Sequence, residues 1–271
     1  MKMTREMIIN ELAQRGYEVE EYDKFDNGII KEGIKIDTGR YTQPIFYMNN
    51  ILGEVEKGNQ SVGDIVDRIV EILEEELDYP DISAIFNHDF VLNNVYIGLQ
   101  RKTEENLVKR KCFLHDVESY LYVRCSRDGS YKLKVNSLET LDLTEDEIWK
   151  RAEENTYKNT VIKPLMSLFT ILGVEEELDE EYDGPYVLSN EDGFRGAANI
   201  LDRKFIRDFG RKIGVHQFVV IPSSIHEVLL DPIKNIREVD LKRYENMIKE
   251  VNEEQVAQEE RLGDRPYILI V

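Results

Sequence analysis

The sequence predicts an α+β fold, with mainly antiparallel sheet and flanking helices arranged in two lobes. Three observations predict it. Strand-like and helix-like segments alternate without the regular βαβ rhythm of a doubly wound sheet. Two hairpins are visible, at Asp26-Asn27-Gly28 and around Pro222-Ser223-Ser224. An acidic run from Glu175 to Asp183, with seven acids in nine residues, reads as a solvated linker. The expected organisation is therefore an N-terminal α+β lobe over 1–174, a linker over 175–184 and a C-terminal α+β lobe over 185–271, with one continuous domain as the alternative.

The elements follow in order. Thr4 caps a first helix in which Met7, Ile8 and Leu12 recur at helical spacing, and Gly16 stops it. Strand-like stretches follow at Tyr17 to Tyr22, Gly28 to Ile36 and Pro44 to Ile51. Ser61 opens a strongly amphipathic helix reaching Leu77, with Val62, Ile65, Ile69 and Ile72 on its apolar stripe. Val91 to Leu99 reads as strand or short helix, and polar Thr103 to Cys112 as a short helix. Val117 to Arg124 is rich in strand formers and should pair with Tyr131 to Val135 across a turn at Arg127-Asp128-Gly129. Thr144 and Glu147 form a capping box. Pro164 fits the first position of a helix ending at Gly173. Tyr186 to Leu188 is a strand, Asn190 to Gly193 a turn, and Asp202 caps a helix ended by Gly214. Gln217 to Ile221 and Ile225 to Leu230 make the second hairpin. Asp240 to Val251 is helical, and Tyr267 to Val271 is a closing strand.

The chain has 271 residues and a net charge of −19. Three segments, Glu71 to Asp81, Glu139 to Glu147 and Glu175 to Asp183, supply eighteen acids and no base, so the remainder is nearly neutral. The charge argues against wrapping along duplex DNA and against an anionic membrane surface, yet leaves room for a local basic patch. Asn10, Glu11, Gln14 and Arg15 interrupt any signal-like apolar stretch, and the longest apolar runs are strand-sized. The expectation is a cytoplasmic protein with no membrane contact. Cys112 and Cys125, two in so long a chain, read as reduced half-buried thiols, although a bridge between them is geometrically open.

Leu121-Tyr122-Val123-Arg124-Cys125, the helix from Glu147 to Thr156, Val187-Leu188-Ser189-Asn190 with Gly196-Ala197-Ala198, Ile221 to Val228, and Val251 to Val256 with Leu262-Gly263-Asp264-Arg265 stand out as a set. These segments resemble a family catalogued as a domain of unknown function, DUF5688, common in gut Firmicutes. The ending Pro266-Tyr267-Ile268-Leu269-Ile270-Val271 departs from the family's usual one. The resemblance implies a cytoplasmic bacterial protein. It implies no activity, so no catalytic residue transfers.

Candidate chemistry comes from the residues themselves. Ser224 and His226 would share a strand face, with Glu227 beside them, and His115-Asp116 is a second acid–histidine pair. Either group could serve a hydrolase or nuclease, but no HExxH spacing, nucleophile elbow or third metal ligand accompanies them. No metal site and no cofactor is expected. Ser223, Ser224, Asn190 and Arg195 are candidate ligand contacts, the first two doubling as turn residues. Gly193 to Ala198 superficially resembles a phosphate loop without its spacing; close helix–sheet packing explains its small residues better. Two basic clusters, Arg101, Lys102, Lys109, Arg110 and Lys111, and Arg203, Arg207 and Arg211, are the candidate nucleic-acid contacts, less favoured than a solvated face. Trp149 reads as core. The favoured function is a non-enzymatic binding or regulatory module, with a protein partner or a second copy as possible company; a hydrolase or nuclease is the alternative, and a nucleic-acid binder through 101–111 or 203–212 the next.

Overall fold

The computed structural model describes residues 4–39, 43–48, 51, 61–74, 85–126, 129–167, 182 and 184–271. It is α+β with three antiparallel sheets, as the sequence predicts. The chain divides into two compact units, Met1–Pro80 and Asp81–Val271.

The first unit contains helix α1 (Arg5–Gln14), strands β1 (Glu18–Asp26), β2 (Ile29–Asp37) and β3 (Ile45–Tyr47), and helix α2 (Val62–Glu74). The hairpin between β1 and β2 turns on two residues, Asn27 at φ 48° and Gly28 at φ 82°. Positive φ at both central positions matches the right-handed twist of the flanking strands, which explains the Asn-Gly pair. Ser61 and Asp64 cap α2 reciprocally, each accepting the other's backbone N–H. Ile8 and Leu12 of α1, Ile34 and Ile36 of β2, and Ile65, Val66 and Ile69 of α2 form one core.

The second unit holds two sheets. In the first, β6 (Val117–Arg124) pairs with β4 (Val95–Arg101) on one edge. Its other edge takes β5 (Lys109–Lys111) and β7 (Ser130–Lys132). Helix α3 (His88–Asn94) leads directly into β4, so the stretch with undecided periodicity is both elements in succession. Two shorter and longer helices follow, α4 (Ser137–Thr140) and α5 (Glu145–Tyr157). α5 covers the free edge of β4: Thr156 accepts the Ile97 N–H at 2.8 Å, and Asn155 donates to the carbonyls of Leu92 and Val95. An open strand edge is thereby satisfied by side chains.

The second sheet has the order β12-β10-β11-β9-β8, from β8 (Thr160–Pro164), β9 (Tyr186–Asn190), β10 (Gln217–Ile221), β11 (Val228–Pro232) and β12 (Tyr267–Ile270). Helices α6 (Arg203–Ile213) and α7 (Leu241–Gln255) accompany it. Asp202 accepts the Phe205 N–H, and Gly214 closes α6 at φ 71°. α7 lies over Val219 and Ile221, while Phe218 and Val220 face the main core shared with the first sheet. Trp149 belongs to that main core.

Three expectations change. Thr103 to Cys112 is extended rather than helical, because Lys109–Lys111 completes the edge of β6. Pro164 ends β8, an edge strand where the missing N–H costs no ladder bond, and residues 166 and 167 are helical; the rest of the expected helix, to Gly173, lies outside the described residues. The strand expected from Ile225 starts at Val228, since residues 224–227 close a turn. β8 and β9 lie on either side of the acidic segment and are paired neighbours. The division into units falls at 80/81; most of the acidic segment lies outside the described residues, as do Arg127 and Asp128 of the expected turn. Cys112 and Cys125 are free thiols. No helix among the described residues is long and apolar enough to cross a membrane.

Candidate functional site

Strand β6 is buried on both faces, but the faces differ. Val117, Leu121 and Val123 enter the main core. Glu118, Tyr120 and Tyr122 occupy the other face, which Tyr96, Gly98 and Gln100 of β4 share by register. Gly98 is there because Tyr120 lies across it: a Cβ would come within 2.7 Å of the ring. Tyr120 is fully buried, and burial holds the Tyr122 phenol well above the ordinary tyrosine range.

Charges on this side are mostly paired. Lys109 meets Glu118 at 3.2 Å, Lys132 meets Glu105 at 3.0 Å and Arg124 meets Asp192 at 2.5 Å. Gln100 donates to Glu118 at 2.9 Å. Arg195 is the exception. Its guanidinium donates through Nη1 to the Tyr120 hydroxyl and lies 5.3 Å from the Tyr122 and Phe194 ring centroids. No carboxylate among the described residues pairs with it. Its Nε is buried without a partner. Nη2 makes no hydrogen bond among the described residues and is the guanidinium nitrogen open to a carboxylate or phosphate oxygen.

The loop from β9 to the 3-10 turn Gly196–Leu201 presents this side chain. Asn190 closes it, accepting the Phe194 N–H at 3.1 Å and donating to the Phe194 carbonyl at 2.8 Å. Arg195 is held at φ 52°, a left-handed conformation that costs a non-glycine residue energy and often marks a functional position. Gly196 is wedged against β9 and the 222–227 loop. A Cβ there would meet Ser189 Oγ at 2.2 Å, the Asn190 nitrogen at 2.6 Å and the His226 carbonyl oxygen at 2.8 Å. The small residues thus allow close packing rather than a phosphate cradle.

His226 connects the two loops. Its Nδ1 lies 3.3 Å from the Arg195 N–H and 3.1 Å from the Gly193 carbonyl oxygen. It accepts the first when it carries no proton there and donates to the second when it does. Nε2 faces Glu260 at 3.6 Å. Ser189 donates to the His226 carbonyl at 2.8 Å.

The structure brings together Asn190, Arg195, Ser224 and His226, but not as a nucleophile and its base. Ser224 Oγ accepts the His226 backbone N–H at 3.0 Å, and Ser224 N–H donates to the Glu227 carbonyl. The hydroxyl closes a turn, and the imidazole points away to Gly193 and Arg195. Ser223 donates its N–H to Ile221. Glu227 is half-buried, and desolvation pushes its carboxyl above the ordinary range. His115 and Asp116 occupy an exposed turn before β6, near Tyr267 and Arg265. Among the described residues no group of three or more His, Cys, Asp or Glu could hold a metal ion.

Several of the basic residues are engaged within the chain. Lys109 turns to Glu118, whereas Arg110 turns to Asp146 and lies 4.7 Å from the Trp149 ring centroid. Arg101 ends β4, and Lys111 ends β5. Arg203, Arg207 and Arg211 are exposed on α6, but Arg203 donates to the Ile270 carbonyl and Arg211 pairs with Asp208. Sequence reasoning overlooked Tyr120, Ser189 and Glu260 as partners of this site. The Glu118, Tyr120, Tyr122 alternation was the available signal for the first.

Fold and site together define an α+β protein in which a tyrosine-bearing sheet holds an arginine from a neighbouring loop. The chain belongs to the family of unknown function DUF5688, whose model matches residues 2–269. No curated protein and no solved structure matches it.

Proposed function

We propose that the chain is a cytoplasmic, non-enzymatic binding module that holds an anionic group of its ligand, a carboxylate or phosphate, at Arg195. One observation carries the reading: a half-buried guanidinium rests on aromatic faces with no acid to neutralise it and one edge unbonded. A desolvated cation without a counter-charge is costly unless something supplies one. Asn190, Ser224 and His226 then act as the scaffold that fixes the loop, and Tyr120 aims the side chain.

Titration with inorganic phosphate and with acetate, followed calorimetrically, tests this. One of the two should bind, and Arg195→Gln should weaken it at least tenfold while the thermal midpoint is retained. Binding of neither anion would overturn the reading. So would substrate turnover in a metal-supplemented hydrolase screen that disappears in His226→Ala, which would install the hydrolase alternative at Ser224, His226 and Glu227.

A further inference from the structure

A second feature of the same unit lies on the opposite face of the five-stranded sheet. Here α7 covers Val219 and Ile221 but leaves a cleft of about 1100 Å³ towards the ends of β10 and β11. That volume suits a small organic ligand. Ile213, Val215, Leu229, Ile233, Val239 and Met247 supply apolar wall. The acidic and amide lining of the cleft comprises Gln217, Asp231, Asn235, Glu238 and Asp240. Gln217 Oε1 is buried and has no hydrogen-bond partner. Asp231 is half-buried, and its Oδ2 accepts the Tyr244 hydroxyl, which spends that donor. No ion pair involving Asp231 exists among the described residues.

Gln217 and Asp231 project from the same face. Asp231 pairs with Val219, and the Ile233 N–H donates to the Gln217 carbonyl, so the two acceptors are diagonal neighbours. Lys234 and Arg243 also line the cleft, both exposed, and Arg243 lies near Tyr244. Apolar walls around a half-buried carboxylate that has no ion pair, with Glu238 and Asp240 at the rim, call for a cation with hydrogen-bond donors. We propose that this cleft binds a small molecule with an apolar body and a protonated amine, the amine seated against the Asp231 carboxylate. The site is separate from Arg195 and does not depend on it.

Binding of n-hexylamine, n-hexanol and hexanoate to the full chain, followed by NMR shift perturbation, tests the proposal. Hexylamine should bind at least tenfold more tightly than the other two. Asp231→Asn, which keeps the shape and an acceptor for Tyr244, should remove that preference. Met247→Trp, which fills the cleft without changing charge, should abolish binding. Arg195→Gln should leave it unchanged. The proposal is overturned if the three probes bind alike, if the amine does not bind, or if amine binding survives Met247→Trp, the last being the mark of general attraction to an acidic chain. A thermal midpoint measured for each variant separates lost binding from lost fold.

Discussion

Replacing Gly196 by alanine should destabilise the second unit by roughly 3 kcal/mol, the upper end for forcing a methyl into packed space. The reason is what the new Cβ would meet. Ser189 Oγ lies at 2.2 Å and could rotate away, but the Asn190 nitrogen at 2.6 Å and the His226 oxygen at 2.8 Å are backbone and cannot. For a unit of roughly 190 residues, such a loss lowers the thermal midpoint by about 6–12 °C. Trp149, the single tryptophan, is buried in this unit, so its fluorescence follows the relevant transition without interference from the first unit. Gly193→Ala is the control. Gly193 has φ 64° and nothing within 4 Å of the added Cβ, so only the left-handed backbone is charged, about 1 kcal/mol. Combining Gly196→Ala with Ser189→Ala should recover a fraction at most, because two of three walls remain. A Gly196→Ala midpoint within about 2 °C of the unsubstituted protein, or a loss no larger than that of Gly193→Ala, would refute the close packing of these three segments.

Other consequences can be checked alongside it. Glu227 holds its proton to higher pH when folded than when unfolded, so the native state binds more protons as pH rises above the ordinary glutamate value, and stability falls through that window. Glu227→Gln should therefore match the unsubstituted protein at low pH and exceed it at neutral pH, read as a difference in urea midpoints at the two pH values. Gly98→Ala drives a Cβ to 2.7 Å from the fully buried Tyr120 ring; it should cost about 1–3 kcal/mol and weaken anion binding as well, which calorimetry on the folded variant would detect. Asp202→Ala removes the acceptor for the Phe205 N–H and should cost about 1 kcal/mol, measured by urea denaturation at Trp149.

What the sequence made legible was local chemistry. Asn27-Gly28 announces a two-residue hairpin because few other pairs tolerate positive φ twice. Asp202 and Gly214 mark both ends of α6, and Thr144 marks the start of α5, because caps satisfy particular backbone groups. Pairings between distant segments were not legible. β12 joins β10 in a register that runs from Tyr267 against Val220 to Ile270 against Gln217, and no short-range pattern encodes that. The same holds for the site. Asn190, Arg195, Ser224 and His226 were visible as candidates, but Arg195 and Tyr120 are 75 residues apart, and only the fold makes them partners. Pro164 was ambiguous because proline suits a helix start and an edge strand equally well, and the choice depends on a partner strand that lies beyond the acidic segment.

The cost of Arg195 offers the sharpest discrimination between a structural and a binding role. Its backbone is left-handed, its charge is unneutralised and its Nε is buried without an acceptor. If the guanidinium served the fold alone, an apolar side chain of similar length would serve better, since buried ionic groups are often replaced by apolar ones without loss. Arg195→Met keeps contact with Tyr122 and Phe194, at the price of one hydrogen bond to Tyr120. Without added anion, that variant should equal or exceed the unsubstituted protein in stability. With anion at about a hundred times its dissociation constant, the unsubstituted protein should gain about 2.7 kcal/mol and the variant nothing. The crossing of the two stabilities with anion concentration is the signature of a residue retained for its ligand. A variant already several kcal/mol less stable without anion would show instead that the arginine holds β6 and the 190–196 loop together, and the binding reading would fall.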